Sequence, residues 1–450
     1  MEDKSKLLPL DIAHFSREPE DLLAYGFDAS GLMEMPAAVA WPENAEDVLR
    51  ILRYASANSL AVIPRGAGTG MTGGSVPSRG AIVISFERMN RILDVDEENL
   101  TVLVEPGVIN GRLQRELYSY GFFYPPDPAS MEFCTLGGNV AENAGGPRAL
   151  KYGVTRDYVL QLEAALPEGR LINAGVQTRK GVVGYDLARL LVGSEGTLAV
   201  VTKIRLKVLP MPEDILTLLV IFRDVERSGE AVSRITAAKI IPRTLEIIDS
   251  ECIRAVEGYS PVGLPKNAAA LLLIELDGHP AAIRAEAGQV VGICEKLGAE
   301  VTMAEDDEAR DALWKARRGI SPALYHLCTG KISEDIVVPR SRIPEMLSAL
   351  RALSEKTGIP IATFGHAGDG NLHVNLLPPK EQDFTPVLTE LFTKVLSLGG
   401  TISGEHGVGL TKKSFIDMEI PPEELRLMRE IKKTFDPKNI LNPGKIFPDK

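Results

Sequence analysis

The chain has 450 residues, of which 44% are hydrophobic and 25% charged, and its formal net charge at pH 7 is -11. That length exceeds what one hydrophobic core organises, so two or three domains are expected, and the composition is that of an ordered globular protein without low-complexity tracts. The acidic surplus argues against nucleic acid or an anionic membrane surface as partner, because phosphate groups require a basic surface.

The amino terminus, Met1 to Lys6, leads into no apolar stretch, and runs such as Ala268 to Ile274 are too short to span a bilayer. No transmembrane segment and a cytoplasmic location are therefore expected. Cys134, Cys252, Cys294 and Cys328 are scattered without a Cys-x-x-Cys pair, which suggests neither an iron-sulfur cluster nor a thiolate zinc site.

From residue 1 to about 210, short β-branched runs alternate with glycine-rich loops. Leu60 to Ile63, Ala81 to Ser85, Thr101 to Val104 and Leu198 to Val208 read as strands, and Ala45 to Ala57 as a helix. The first strand runs into Pro64-Arg65-Gly66-Ala67-Gly68-Thr69-Gly70-Met71-Thr72-Gly73-Gly74. Gly68 to Gly73 satisfies a Gly-x-Gly-x-x-Gly pattern, but a Rossmann loop opens directly into a helix, and here another strand follows. Such a loop still offers successive backbone amides to a diphosphate. A second cluster, Thr135 to Gly146, follows the rigid Pro125 to Ser130, with Tyr152-Gly153 close behind; a third, Gly193 to Thr197, runs into a strand. Three glycine loops in one domain suggest close backbone approach to an extended ligand with several parts.

Pro210, Pro212 and Glu213-Asp214 punctuate a boundary. Beyond it, strand-helix-strand units repeat: Ile215 to Phe222, Val225 to Lys239 and Thr244 to Ile248, then Ala268 to Leu276, Ala281 to Leu297 and Glu300 to Met303. A third unit begins near Ile336 and continues through Pro344 to Lys356. These units predict an antiparallel sheet with helices on one face. A last segment from about Ser414 carries a helix near Pro422 to Thr434 and a turn-rich tail that returns to the first domain.

The third unit closes on a hairpin, with Ile359 to Phe364 and Leu372 to Leu377 as strands and Ala367 to Asn371 as the turn. It folds His366 and His373 toward each other, and His373 shares a strand face with Asn375. Of six histidines, three lie between positions 366 and 406. Glu405 and His406 stand between glycines, where a mobile glutamate supplies an oxygen ligand. Two imidazoles and a carboxylate make a divalent-metal site; zinc is the metal expected, with manganese and iron(II) as alternatives.

Taken together, these motifs resemble the FAD-linked D-2-hydroxyacid dehydrogenase branch of the vanillyl-alcohol oxidase and p-cresol methylhydroxylase superfamily, over nearly the whole chain. The resemblance implies an α+β architecture: a vanillyl-alcohol-oxidase-type FAD-binding domain over 1–212, a ferredoxin-like antiparallel-sheet cap domain over 213–413, and a segment, 414–450, packing back on the first. It implies that Pro64, Arg65, Gly66, Ala67, Gly68, Thr69, Gly70, Gly73 and Gly74 cradle the FAD pyrophosphate. Pro126, Asp127, Ser130, Thr135, Gly137, Gly138, Ala141, Asn143, Gly145, Gly146, Tyr152, Gly153, Gly196, Val200 and Asn442 would line the rest. Relatives that tether FAD through a histidine in the first loop differ here at Thr69-Gly70, so noncovalent FAD is implied.

The same resemblance makes His366, His373 and Glu405 the metal ligands and His406 the general acid-base residue. Adjacent residues point apart, so one of Glu405 and His406 faces metal and the other substrate. Arg317, Ser321 and Lys331 would hold the substrate carboxylate, Arg317 and Ser321 sharing one helical face, and Asn375 would orient the hydroxyl. The expected reaction is oxidation of a small D-2-hydroxy acid, D-lactate or glycolate first. The electrons would pass to a quinone, an electron-transfer flavoprotein or an iron-sulfur subunit, and a homodimer or a peripheral membrane location through a partner is compatible with this. Rival readings are an oxygen-using flavin oxidase, a noncatalytic FAD subunit of a glycolate oxidase-type complex, and a flavin-free metal hydrolase.

Overall fold

The computed structural model describes residues 14–380 and 383–448; the amino-terminal hexapeptide and the last two residues lie outside them. The chain forms two compact units. The first takes the chain up to Ala144, Val154–Pro210 and everything from His406 onward; the second takes Gly145–Gly153 and Met211–Glu405. The division expected near 212 thus falls at 210, residues 145–153 join the second unit, and the return to the first falls at His406 instead of Ser414. No helix among the described residues is long and apolar enough to cross a membrane.

In the first unit, Ala38–Ala40, Ile82–Ser85 and Val62–Arg65 pair in parallel, with Phe15–Ser16 added antiparallel at the edge. Parallel strands need a crossover, and the helix Ala45–Asn58 supplies it. Asn44 starts that helix by accepting from Asp47 N at 3.1 Å, and Val48, Leu49, Ile51, Leu52 and Ala55 bury its inner stripe against Val62, Ile82 and Ile84. A separate antiparallel sheet runs Ile92–Asp96, Thr101–Val104, Val200–Lys207, Val159–Ala165 and Leu171–Gly175. The alternation of buried and half-buried residues along Val200–Lys207 reflects its two unequal faces. From the carboxy-terminal segment, Leu441 bridges to Val62, and Ile440 and Leu441 enter the same core.

The second unit is built on a seven-stranded antiparallel sheet in the order Glu300–Met303, Asp214–Phe222, Ala270–Gly278, Thr244–Asp249, Ile361–Gly365, Asn371–Leu376, Ile332–Val337. The first four strands, with the helices Val225–Ala237 and Pro280–Lys296 between them in sequence, have the ferredoxin-like arrangement. Both faces of the sheet are covered, where helices on one face were expected. Ser250–Tyr259 and Ile320–Leu327 pack Cys252, Ile253, Val256, Ile320 and Leu324 against Ile248, Leu271, Ala362 and Phe364. Alternate residues on the same strands, Leu218, Val220, Leu272 and Ile274, are buried as well. The run Ala270–Ile274 is apolar at both alternations, the mark of a strand buried on two faces.

Candidate functional sites

In the first unit the three glycine clusters converge. A Cβ on Gly66 would collide with Thr135 Oγ1, joining the first loop to the second. Glu195 N donates to Ala141 O at 2.8 Å, joining the second to the third, and a Cβ on Gly196 would press on Pro64 Cγ at 3.3 Å, joining the third to the first. Gly68 and Gly73 lie at φ +71° and +79°, a region costly for other residues, and a Cβ on Gly68 would strike the Arg65 guanidinium. Arg65 itself is buried and donates to Phe27 O at 2.6 Å, so it braces the loop from below.

The carbonyls of this loop are tied down. Lys445 Nζ donates to Gly73 O and Val76 O at 2.7 and 2.6 Å, and Asn442 Nδ2 to Gly74 O and Glu195 O at 2.8 Å each. Among the described residues, the amides of Ala67 to Gly74 donate to no protein acceptor. A run of amides without protein acceptors, with a buried lysine on the neighbouring carbonyls, suits a diphosphate. Burial lowers the Lys445 pKa to about 8. The buried oxygens Glu142 Oε2 and Asn442 Oδ1 have no protein partner, which leaves a carboxyl group and an amide oxygen to hydrogen-bond a polar ligand. Burial, with Glu195 and Asp28 nearby, raises the Glu142 pKa well above the usual carboxylate range. The residues present therefore fit FAD.

Other expected lining residues sit in or beside this framework. Thr135 caps the helix Leu136–Glu142 by accepting from Gly138 N at 3.2 Å, and Asn143 ends it in the left-handed region at φ 55°. Gly137 backs onto Pro106, where a Cβ would lie 2.7 Å from its side chain. Pro126 O accepts from Asn110 and Gln114, and Ser130 O from Phe133 N and Cys134 N, which holds the proline-rich turn around Asp127. Val200 is fully buried in the core and pairs with Ala165 in the sheet, so it backs the framework and does not line its surface. Gly145, Gly146, Tyr152 and Gly153 belong instead to the second unit. There Tyr152 OH donates to Asp277 Oδ2 at 2.7 Å, beside the Lys151-Asp277 ion pair and an Arg243-Asp277 pair at 2.9 Å.

In the second unit the hairpin forms as expected, with Phe364 opposite His373 and the two imidazole centroids 5.2 Å apart. His366 lies one residue beyond the strand Ile361–Gly365, at the start of the turn. His366 Nε2 and His373 Nε2 approach the same oxygen, Glu405 Oε1, at 3.4 and 3.6 Å. Ligand atoms of these three residues lie within 4.8 Å of one another, a spacing one cation can bridge.

Two buried carboxylates that the sequence did not point out hold this set. Glu246, on the neighbouring strand Thr244–Asp249, lies 2.7 Å from His366 Nδ1 and accepts from Arg317 Nε at 2.7 Å. Asp335, paired across from His373, accepts from Gly404 N and Glu405 N at 2.8 and 2.7 Å and fixes the turn that presents Glu405. Burial opposes charge on His366, yet Glu246 and Glu405 outweigh it and hold its pKa well above the ordinary value. Burial likewise opposes charge on Glu405, and His366 and His373 outweigh it, drawing its pKa down to about 2. Glu246, Asp335 and Glu405 thus surround the two imidazoles and the Arg317 guanidinium with carboxylate oxygens, and a divalent cation between the imidazoles and Glu405 would take the place of the proton that Glu246 and Glu405 now favour on His366.

The remaining expected site residues fall into separate groups. Arg317 is 5% exposed, pairs with Glu246, and stacks on Phe364 with Cζ 4.6 Å from the ring centre. Ser321 lies in the first turn of the next helix, Ile320–Leu327, after Gly319 and accepts from Lys331 Nζ at 2.9 Å. Asn375 is fully buried; its amide donates to Ala362 O and His373 O and its oxygen accepts from Ser333, which leaves one acceptor lone pair. His406 opens the return to the first unit, where its carbonyl accepts from Thr72 Oγ1 at 3.2 Å and Glu195 accepts from Val408 N and Gly409 N.

Fold and site together define a flavoprotein, and the comparisons with known proteins agree. Residues 36–175 match the family model "FAD binding domain" and residues 211–446 the model "FAD linked oxidases, C-terminal domain". Glycolate oxidase subunit GlcD of Bacillus subtilis is 45% identical, covering 94% of this chain and 92% of that protein. D-lactate dehydrogenase of Archaeoglobus fulgidus is 39% identical over 94% and 95%, and D-2-hydroxyglutarate dehydrogenase of Stutzerimonas stutzeri 32% over 96% and 95%. Among solved structures, p-cresol methylhydroxylase superposes with a TM-score of 0.78 at 18% identity, covering 97% of this chain and 94% of that one, a likeness of fold. The chain belongs to the FAD-linked oxidase family and is an FAD-linked oxidoreductase.

Proposed function

We propose that this protein oxidises a small D-2-hydroxy acid, D-lactate or glycolate, to the 2-oxo acid. The observation that carries the proposal is the set of two buried histidines, His366 and His373, with the half-buried Glu405, and Arg317 held beside it through Glu246. The relatives named for glycolate, D-lactate and D-2-hydroxyglutarate support the substrate class.

Bound FAD supplies the hydride acceptor, and a divalent metal, zinc first, a Lewis acid that acidifies the substrate hydroxyl. His366, His373 and Glu405 hold the metal. The Arg317 edge turned away from Glu246 grips the substrate carboxylate, since a guanidinium presents paired donors in one plane. Ser321 and Lys331 bound the tail of the substrate, and Asn375 contributes its remaining lone pair. His406 takes the hydroxyl proton, an imidazole being suited to proton transfer near neutral pH. Reoxidation falls to a quinone or a separate electron-transfer protein.

Anaerobic bleaching of the flavin by a panel of D- and L-2-hydroxy acids, with and without a chelator, tests this reading. Bleaching by D-lactate or glycolate that the chelator abolishes is expected; no bleaching by any acid defeats it. His406→Ala is expected to abolish turnover while metal and FAD remain, and loss of metal at normal FAD occupancy would exchange the roles of Glu405 and His406. Oxygen consumption matching dye reduction in rate would instead favour an oxidase.

A further inference from the structure

Glu246 is fully buried in the middle of the second unit's sheet, on a strand whose next residue, Ile247, pairs with Gly365. Its two oxygens face different partners. Oε1 lies 2.7 Å from His366 Nδ1, while Oε2 lies 2.7 Å from Arg317 Nε and 2.5 Å from Arg317 Nη2. A carboxylate accepts, so Nδ1 keeps a proton toward Glu246, and Nε2 is the nitrogen that would release its proton and bind a metal. Nε2 is the nitrogen that faces Glu405. On the other side, Glu246 occupies the Nε and Nη2 edge of Arg317 and Phe364 packs 4.6 Å from its Cζ, which together restrict where the outer Nη1 and Nη2 edge points.

We propose that Glu246 is a positioning residue for both halves of substrate recognition: it orients His366 as a metal ligand and Arg317 as a carboxylate clamp, and so fixes the metal and the clamp relative to each other. This rests on reading His366, His373 and Glu405 as the metal centre. A carboxylate whose only task was to neutralise a buried arginine would need no histidine on its second oxygen. The consequence is that a change at Glu246 alters metal affinity and substrate affinity together, although it touches neither ligand.

Zinc titration of the FAD-loaded protein tests this. Glu246→Gln is expected to weaken zinc binding roughly 10- to 100-fold, the usual cost of losing a partner behind a ligand. At saturating zinc it is expected to raise KM for the hydroxy acid more than it lowers kcat, with FAD affinity within about twofold of wild type. Glu246→Asp keeps the charge but not the reach to both partners, and should fall between. Because Glu246→Gln leaves a buried arginine without its anion, the double variant Glu246→Leu, Arg317→Met replaces the pair by apolar side chains and protects folding. Zinc binding in it should remain roughly 10- to 100-fold weaker than wild type. Zinc binding like wild type in the double variant would mean that Glu246 only neutralises Arg317, and the proposal falls. Loss of zinc in His366→Ala but in neither Glu246 variant also overturns it alone. Zinc binding absent from the wild type, or unchanged in His366→Ala, removes the metal centre itself and this proposal with it.

Discussion

The glycine cradle of the first unit and the histidine cluster of the second are built from opposite materials. The cradle is main chain: amides of Ala67 to Gly74 left without protein acceptors, carbonyls tied to Lys445 and Asn442, and glycines where a Cβ would collide with a neighbour. The cluster is side chain: two imidazoles, a carboxylate, and two further carboxylates behind them. A main-chain site fails when atoms are added and a side-chain site when they are removed. Single substitutions should therefore separate the two.

The largest effect is expected at the ligands. His373→Ala or Glu405→Ala should cost turnover on the order of a thousandfold, since a metal's charge stabilisation is worth several kcal/mol. Elemental analysis should show metal lost and the visible spectrum FAD retained; FAD lost with it would mean the two sites are not separable. The mirror experiment is Gly66→Ala, which drives a methyl group into Thr135. Overpacking of about 1 to 3 kcal/mol predicts FAD binding roughly 10- to 100-fold weaker in reconstitution of the apoprotein, with zinc binding unchanged. Unaltered FAD affinity would show that the first loop has room to spare.

A smaller effect is expected behind the ligands. Asp335→Asn keeps the shape but weakens the acceptor for Gly404 N and Glu405 N, and zinc affinity should fall about 10-fold by isothermal titration. The smallest concerns stability alone. Burial raises the Asp249 pKa to about 6, whereas an unfolded aspartate titrates near 4. Between those values the folded state holds a proton that the unfolded state has lost, so stability present below pH about 4 is lost as pH rises toward about 6. Asp249→Asn should flatten that decline, by roughly 3 kcal/mol or less, in denaturant unfolding compared across the window. An identical pH slope in both proteins would refute it.

Much of the fold was readable locally. The Ala45–Asn58 helix, the strands around the first glycine loop, the two strand-helix-strand units and the His366 to His373 hairpin follow from periodicity and turn chemistry within short windows. Residues separated by long stretches of chain were not readable. Glu246 meets His366 across 120 positions and Arg317 across 71, and nothing near Leu245-Glu246-Ile247 marks it as more than one polar residue in an apolar strand. Asp335 is hidden in the same way. The second layer of helices was missed although Ala270–Ile274 is apolar at both alternations, because a short apolar run does not reveal what covers it.

By itself the sequence determined the chemical vocabulary of this protein: glycine loops able to approach a phosphate, paired histidines on a hairpin, and the family these motifs resemble. Backbone conformation and next-but-one neighbours are local properties, so they are written locally. Only the tertiary structure decided which atoms serve. It bound Arg317 to Glu246, assigned the Tyr152 hydroxyl to Asp277, used both donors of Asn375 inside the sheet, and divided the compact units between Glu405 and His406. Those choices depend on strand order and register, which bring distant residues within hydrogen-bond range and leave each buried polar group to find its partner there.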